Sequence, residues 1–125
     1  MGQGFLTDTN ILVDMLGNSM PDNVKLKILK IVPVVSVITY IEAMGWYQAT
    51  ALQLRIIQSF MDIATILPIN QSVIETAVRL RQNKKIGLGD AIIASTAIVH
   101  NLILVTRDVS DFKSIDNLVV FNPWE

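Results

Sequence analysis

The chain has 125 residues, 51% of them apolar, which is enough for one domain with a sizeable core and an apolar surface for self-association. It has no cysteine and one histidine, His100, which excludes disulfides, thiolate metal sites, thiol nucleophiles and mechanisms built on a histidine pair or a Ser-His-Asp triad. Ten basic against eleven acidic side chains give a net charge of −1, without the basic excess usual in nucleic-acid-binding domains, so carboxylates are left to carry any chemistry.

In chain order, Phe5-Leu6-Thr7 reads as a short strand ending at Asp8. A helix follows through Ile11, Leu12, Met15 and Leu16, stopped by Gly17-Asn18. Pro21-Asp22 opens a second helix bearing Leu26, Ile28 and Leu29, with Lys25, Lys27 and Lys30 as a solvated face. Val34-Val35-Ser36, bounded by Pro33, reads as a buried strand. A helical region runs from about Thr39 to Ala64, with a break near Gly45 or Thr50. Ile66-Leu67 is a strand, Gln71 to Gln82 a helix and Asp90 to His100 another. Ile103-Leu104-Val105 and Leu118-Val119-Val120 complete the strands.

Short, continuously apolar strands separated by helices predict an α/β fold: a three-layer α/β/α sandwich around a central, mostly parallel sheet of four to five strands. With no repeat or linker, residues 1–125 form a single domain. The longest apolar run, Ala91 to Val105, is 15 residues and includes His100 and Asn101. A membrane-spanning helix needs roughly 20 apolar residues, so no membrane association is expected. MGQGFLTDTN lacks a basic segment followed by an apolar run, which argues against a secretion signal and for the cytoplasm.

Ligand sites in such sheets form at the carboxyl ends of the strands. Asp8 directly follows the first strand, and Glu42 lies one to two helical turns beyond Ser36. Asp90 opens a helix after Gly87-Leu88-Gly89, and Asp108 follows the strand ending at Val105. Two carboxylates about 4 Å apart repel by roughly 4 kcal/mol at an effective dielectric near 20. Such a cluster takes up protons or holds a cation, and hard oxygen donors suit Mg²⁺ or Mn²⁺. Each acid also has a plainer reading: Asp8 as a helix N-cap, Asp90 as a carboxylate favoured by the helix dipole, Asp108 as a turn residue. Glu42 resists one, because a helix phase that buries it would strand an unpaired charge.

These residues, in this order, resemble the PIN-domain family, and within it the VapC-like toxins of type II toxin–antitoxin modules. The resemblance rests on Asp8-Thr9-Asn10 after the first strand, Ser36 to Glu42, and Gly89-Asp90-Ala91-Ile92-Ile93-Ala94. It continues in Thr106-Arg107-Asp108 with Asp111-Phe112 and in the ending Phe121-Asn122-Pro123-Trp124, and so covers essentially the whole chain. It implies a metal-dependent endoribonuclease acting on RNA phosphodiesters, with one or two Mg²⁺ or Mn²⁺ ions. Asp8, Glu42, Asp90 and Asp108 are then the catalytic acids, with Asp8, Asp90 and Asp108 as the metal ligands and Glu42 as a further ligand or a base. Asn10, Ser36, Thr106 and Asp111 are supporting polar residues, and either Asp108 or Asp111 completes the site. The implied partners are RNA, a cognate antitoxin protein and a second copy of the chain.

Arg81, Lys84, Lys85 and Arg107 are candidate phosphate contacts, as is Arg79, although a solvated helix end accounts equally for those on the helix. Trp46, Tyr47, Phe60 and Met61 read as core or dimer packing before a base-stacking platform, and His100 as structural. Asp14, too far round its helix to share a face with Asp8, reads as solvated. The alternative function is a non-catalytic PIN-fold module that binds RNA or protein. A receiver-like phosphoacceptor domain ranks third, because no aspartate follows Leu67 and no lysine follows the last strand.

Overall fold

The computed structural model describes residues 3–17 and 19–125. Its elements are β1 (Phe5–Thr7), α1 (Thr9–Leu16), α2 (Asp22–Leu29), β2 (Val34–Ser36), α3 (Val37–Met44), α4 (Ala51–Ile63), β3 (Thr65–Leu67), α5 (Gln71–Asn83), α6 (Leu88–Val99), β4 (Ile103–Val105), α7 (Val109–Phe112) and β5 (Val120–Phe121). Of the expected Gly17-Asn18 stop, Gly17 closes α1 by donating its N–H to Asp14 O at 3.2 Å, and Asn18 lies outside the described residues.

All paired strands are parallel. β4 sits between β1 and β5, with Phe5, Leu6 and Thr7 opposite Ile103, Leu104 and Val105. β2 and β3 form a second ladder, and β2 packs beside β1 without ladder bonds. The expected sheet of four to five strands is thus five parallel strands in two hydrogen-bonded parts.

Both faces of the sheet are covered because its side chains alternate. Leu6, Leu104 and Val120 pack against Ile93, Ala94 and Ala97 of α6 and Phe112 of α7. On the other face Val105, Phe5 and Phe121 meet Ile11 of α1 and Val24 and Ile28 of α2. A third cluster, Leu12, Val35, Ala43, Ile57 and Met61, joins α1, α3 and α4. α6 is buried without a break from Ala91 to Ala97, as befits a helix walled in on all sides.

The helical region after β2 breaks in both expected places. Gly45 ends α3, and Thr50 opens α4 with a capping box, its hydroxyl accepting from Gln53 N at 3.1 Å. Most boundaries lie within a residue or two of expectation, and two of the shifts have a visible cause or consequence. α6 begins at Leu88, because the Gly87 carbonyl takes the Ala91 N–H at 2.9 Å; Asp90 therefore sits inside the first turn instead of opening it. β5 begins at Val120 and not at Leu118; Asn117, three residues before the strand, turns the chain through φ 66°.

Candidate active site

The parallel register positions the first acid. One step beyond the paired Thr7 and Val105, Asp8 and Thr106 stand side by side, and the Thr106 hydroxyl donates to Asp8 Oδ2 at 2.8 Å. The same hydroxyl oxygen accepts from Asp108 N at 3.0 Å. Asp8 occupies the N-cap position of α1 but makes no side-chain cap bond, so the plain capping reading fails. Its carboxylate is 3% exposed. Burial pushes it up from 3.8 to about 6; Thr106 and the Thr9 backbone oppose this, while Asp90 and Asp108 reinforce it.

Asp90 is partly buried in the first turn of α6 and is raised by burial, then by Asp111, Glu42 and Asp108 in that order. Glu42 is exposed on α3, so the helix phase does not bury it, and the Thr9 hydroxyl donates to its Oε1 at 2.7 Å. Asp108 is held by the Asn10 side-chain amide, which donates to Oδ2 at 2.7 Å. The acids thus gather near the strand ends: Asp8 feels the charges of Asp90 and Asp108, and Asp90 those of Asp111, Glu42 and Asp108.

The other expected residues divide. Thr106 and Asn10 hold acids directly. Ser36 is fully buried and caps α3, accepting from Ile38 N at 3.1 Å, without touching an acid. Lys84, Lys85, Asp90 and Asp111 line one opening of about 270 Å³, and Asn10, Asp14, Arg107 and Asp108 line another of about 440 Å³. Arg81 is exposed on the last turn of α5 and lines neither. Arg107 lies over the Trp124 ring, 4.5 Å from its centre. Asp14 is corrected from solvated to partly buried; burial raises it, Arg107 draws it down and Asp108 raises it. Lys27 is also more than a solvated side chain, since its Nζ donates to the carbonyls of Pro123 and Glu125.

Three contributors were not singled out from sequence. Thr9 reaches Glu42 while lying 3.0 Å from Thr39 Oγ1, and Thr39 is fully buried. Gly89 lets α6 approach α3, because a Cβ there would stand 2.9 Å from Glu42 Oε2. Thr9, between Asp8 and Asn10, and Gly89, just before Asp90, carried a local signal in the motifs that contain them.

Among the described residues, no three acids are gathered tightly enough to grip one ion unaided. The donor chemistry nevertheless fits a hard divalent cation. Every donor is oxygen, Asp8 is held charged only against burial, and Mg²⁺ keeps part of its own water when protein ligands are few. If such a cation binds, Asp8, Asp90 and Asp108 are the residues that would hold it, since Asp8 feels both of the others and Asp90 also feels Glu42 and Asp111.

Parallel strands covered by helices on both faces and ending in mutually repelling carboxylates define an α/β fold with an acidic site, and comparison with known proteins specifies its family. The PIN domain model matches residues 5–118, so the chain belongs to the PIN domain family. It is 35% identical over 77 residues to Toxin FitB of Neisseria gonorrhoeae, covering 56% of this chain and 55% of that protein. It is 38% identical over 72 residues to Ribonuclease VapC1 of Rickettsia felis, covering 54% of each. The chain thus spans about half the length of the curated relatives it matches. Among solved structures, a toxin–antitoxin complex from Klebsiella pneumoniae superposes with a TM-score of 0.80 at 35% identity, covering 98% of this chain and 99% of that one. No helix among the described residues is long and apolar enough to cross a membrane.

Proposed function

We propose that the chain is a divalent-metal-dependent endoribonuclease that hydrolyses RNA phosphodiester bonds as the toxin half of a toxin–antitoxin module. The observation that carries this reading is the convergence of charge: Asp8 is pushed to about 6, and Asp90 is raised by Asp111, Glu42 and Asp108 together. A fold has no structural use for such repulsion, whereas a bound divalent cation relieves it and bridges the acids to an anionic phosphate. The family membership and the relatives named as a toxin and a ribonuclease support the same reading.

A bound Mg²⁺ or Mn²⁺, one or two ions, would supply a water of lowered pKa and offset charge on the reacting phosphate. This chain's own residues set the stage for that chemistry. Thr106 fixes the Asp8 carboxylate and favours its charged form. Asn10 fixes Asp108. Thr9 aims Glu42 towards the first turn of α6, where it is placed to accept a proton from an attacking water. Lys84 and Lys85 beside Asp90, and Arg107 beside Asp108, offer positive charge to phosphates on either side of the cut.

In this reading residues 1–125 are one domain, acting in the cytoplasm as a homodimer and silenced by a cognate antitoxin. A second reading, a non-catalytic module binding RNA or protein, draws on the spread of the acids, no three of which grip one ion unaided among the described residues. Purified protein incubated with total cellular RNA and Mg²⁺, Mn²⁺ or EDTA separates the two. Metal-dependent cutting that disappears in Asp8→Asn and Asp90→Asn supports the nuclease; folded protein that cuts with neither metal supports the binding module.

A further inference from the structure

Beside the acids lies a larger groove of about 610 Å³, formed where α5, α6 and the segment after α7 meet. One side carries Arg79, Asn83 and Lys84 from the end of α5, and the segment after α7 supplies Ser114, Asn117 and one acid, Asp116. The floor is aliphatic, made by Leu80, Ile98 and Ile115. None of the candidate catalytic acids lines it. Lys84 is common to this groove and to the opening that contains Asp90 and Asp111, so the two are continuous at that side chain.

We propose that this groove is a nucleotide subsite, holding the single-stranded RNA residue next to the scissile phosphate; the proposal deepens the nuclease reading and rests on it. Three features choose the occupant. The volume lies in the range that accepts a small organic group. Arg79 and Lys84 offer two cations to backbone phosphates, and Lys84 also lines the opening that contains Asp90 and Asp111. The aliphatic floor takes the face of a base, while the amides of Asn83 and Asn117 and the Ser114 hydroxyl face its hydrogen-bonding edge. Two of these groups are already steadied: Arg79 Nη2 donates to Thr76 Oγ1 at 3.3 Å, and Lys84 Nζ donates to Ser114 Oγ. A single strand fits where a duplex does not, because a paired base has no free edge or face to offer.

The test separates this subsite from the catalytic reading by measuring binding without cleavage. A short fluorescein-labelled single-stranded RNA of mixed sequence is titrated into Asp8→Asn protein, and into the same protein carrying Arg79→Ala, Asn83→Ala or, as a charge-matched control at the C-terminal cap of α2, Lys30→Ala. Arg79→Ala is expected to weaken binding about tenfold, Asn83→Ala severalfold and Lys30→Ala hardly at all. Arg79→Lys should recover part of the loss, and duplex RNA should not show the same ranking. Equal effects of Arg79→Ala and Lys30→Ala, or no effect of either groove substitution, overturn the subsite. The cleavage assay with Asp90→Asn, made in otherwise unaltered protein, judges the nuclease reading separately.

Discussion

The Thr106 hydroxyl donates to the buried carboxylate of Asp8 at 2.8 Å while its oxygen accepts the backbone N–H of Asp108 at 3.0 Å. One side chain therefore ties together the acids that follow two neighbouring parallel strands. Thr106→Val keeps the shape and removes both bonds. Because the hydrogen bond favours charged Asp8, its loss should raise that carboxyl further above 6. We expect RNA cleavage at neutral pH to fall about 10- to 100-fold, as for other partners of metal ligands, with the acid limb of the pH–rate profile moving to higher pH. Thr106→Ser should retain most of the activity.

Asp8 also sets a pH dependence of stability. Its folded carboxyl holds a proton up to about 6 and its unfolded one only to 3.8, so the folded state binds more protons between those values. Metal-free protein should therefore lose stability as the pH rises through that window, by on the order of 3 kcal/mol in all. Asp90, also raised, acts in the same direction. Denaturant unfolding in EDTA checks this: Asp8→Asn should flatten the slope and be the more stable protein at pH 7. Adding Mg²⁺ should stabilise the unsubstituted protein and leave Asp8→Asn nearly unchanged.

Gly89 offers an opposite pairing of effects. Alanine is favoured over glycine inside a helix by up to about 1 kcal/mol, yet a Cβ here would stand 2.9 Å from Glu42 Oε2. Gly89→Ala should keep or raise the melting temperature while displacing the Glu42 carboxylate. The expected result is a cleavage rate at least severalfold lower in a protein that is no less stable.

Asp108 and Asp111 both face Asp90, but only Asp108 is held in place, by Asn10 at 2.7 Å. Asp111 is exposed on the short helix α7. Asp108→Asn should therefore abolish metal-dependent cleavage, and Asp111→Asn should reduce it partially. A reversal of that order in the same assay would assign the completing role to Asp111.

The C-terminal tail reaches the site through Arg107. Trp124 sits beneath its guanidinium, and Lys27 holds the tail through the carbonyls of Pro123 and Glu125. Trp124→Ala should release Arg107 and raise KM for RNA severalfold with little change in kcat, since a cation–π contact at an exposed site is worth about 0.5–1 kcal/mol. Trp124→Phe should fall in between.

Much of this was legible in the sequence for a physical reason: parallel strands covered on both faces must be short apolar runs, and acids placed just beyond them must gather at one edge. That reasoning located β1, β2 and β4, the breaks around α4, and Asp8, Asp90 and Asp108 as neighbours. It left open what depends on helix rotation and misjudged what depends on distant backbone. Glu42 turns outward because the phase of α3 is set by packing against α1, α4 and α6, not by its apolar neighbours in sequence. Asp14 meets Arg107 and Asp108, almost a hundred residues away, once α1 lies beside the end of β4. The roles of Thr9, Thr39 and Gly89 arise only where α1, α3 and the first turn of α6 converge. Local chemistry thus determined which residue types stand at the strand ends. Register and helix packing decided which of them touch, because a hydrogen bond is settled within tenths of an ångström and no spacing along a chain encodes that.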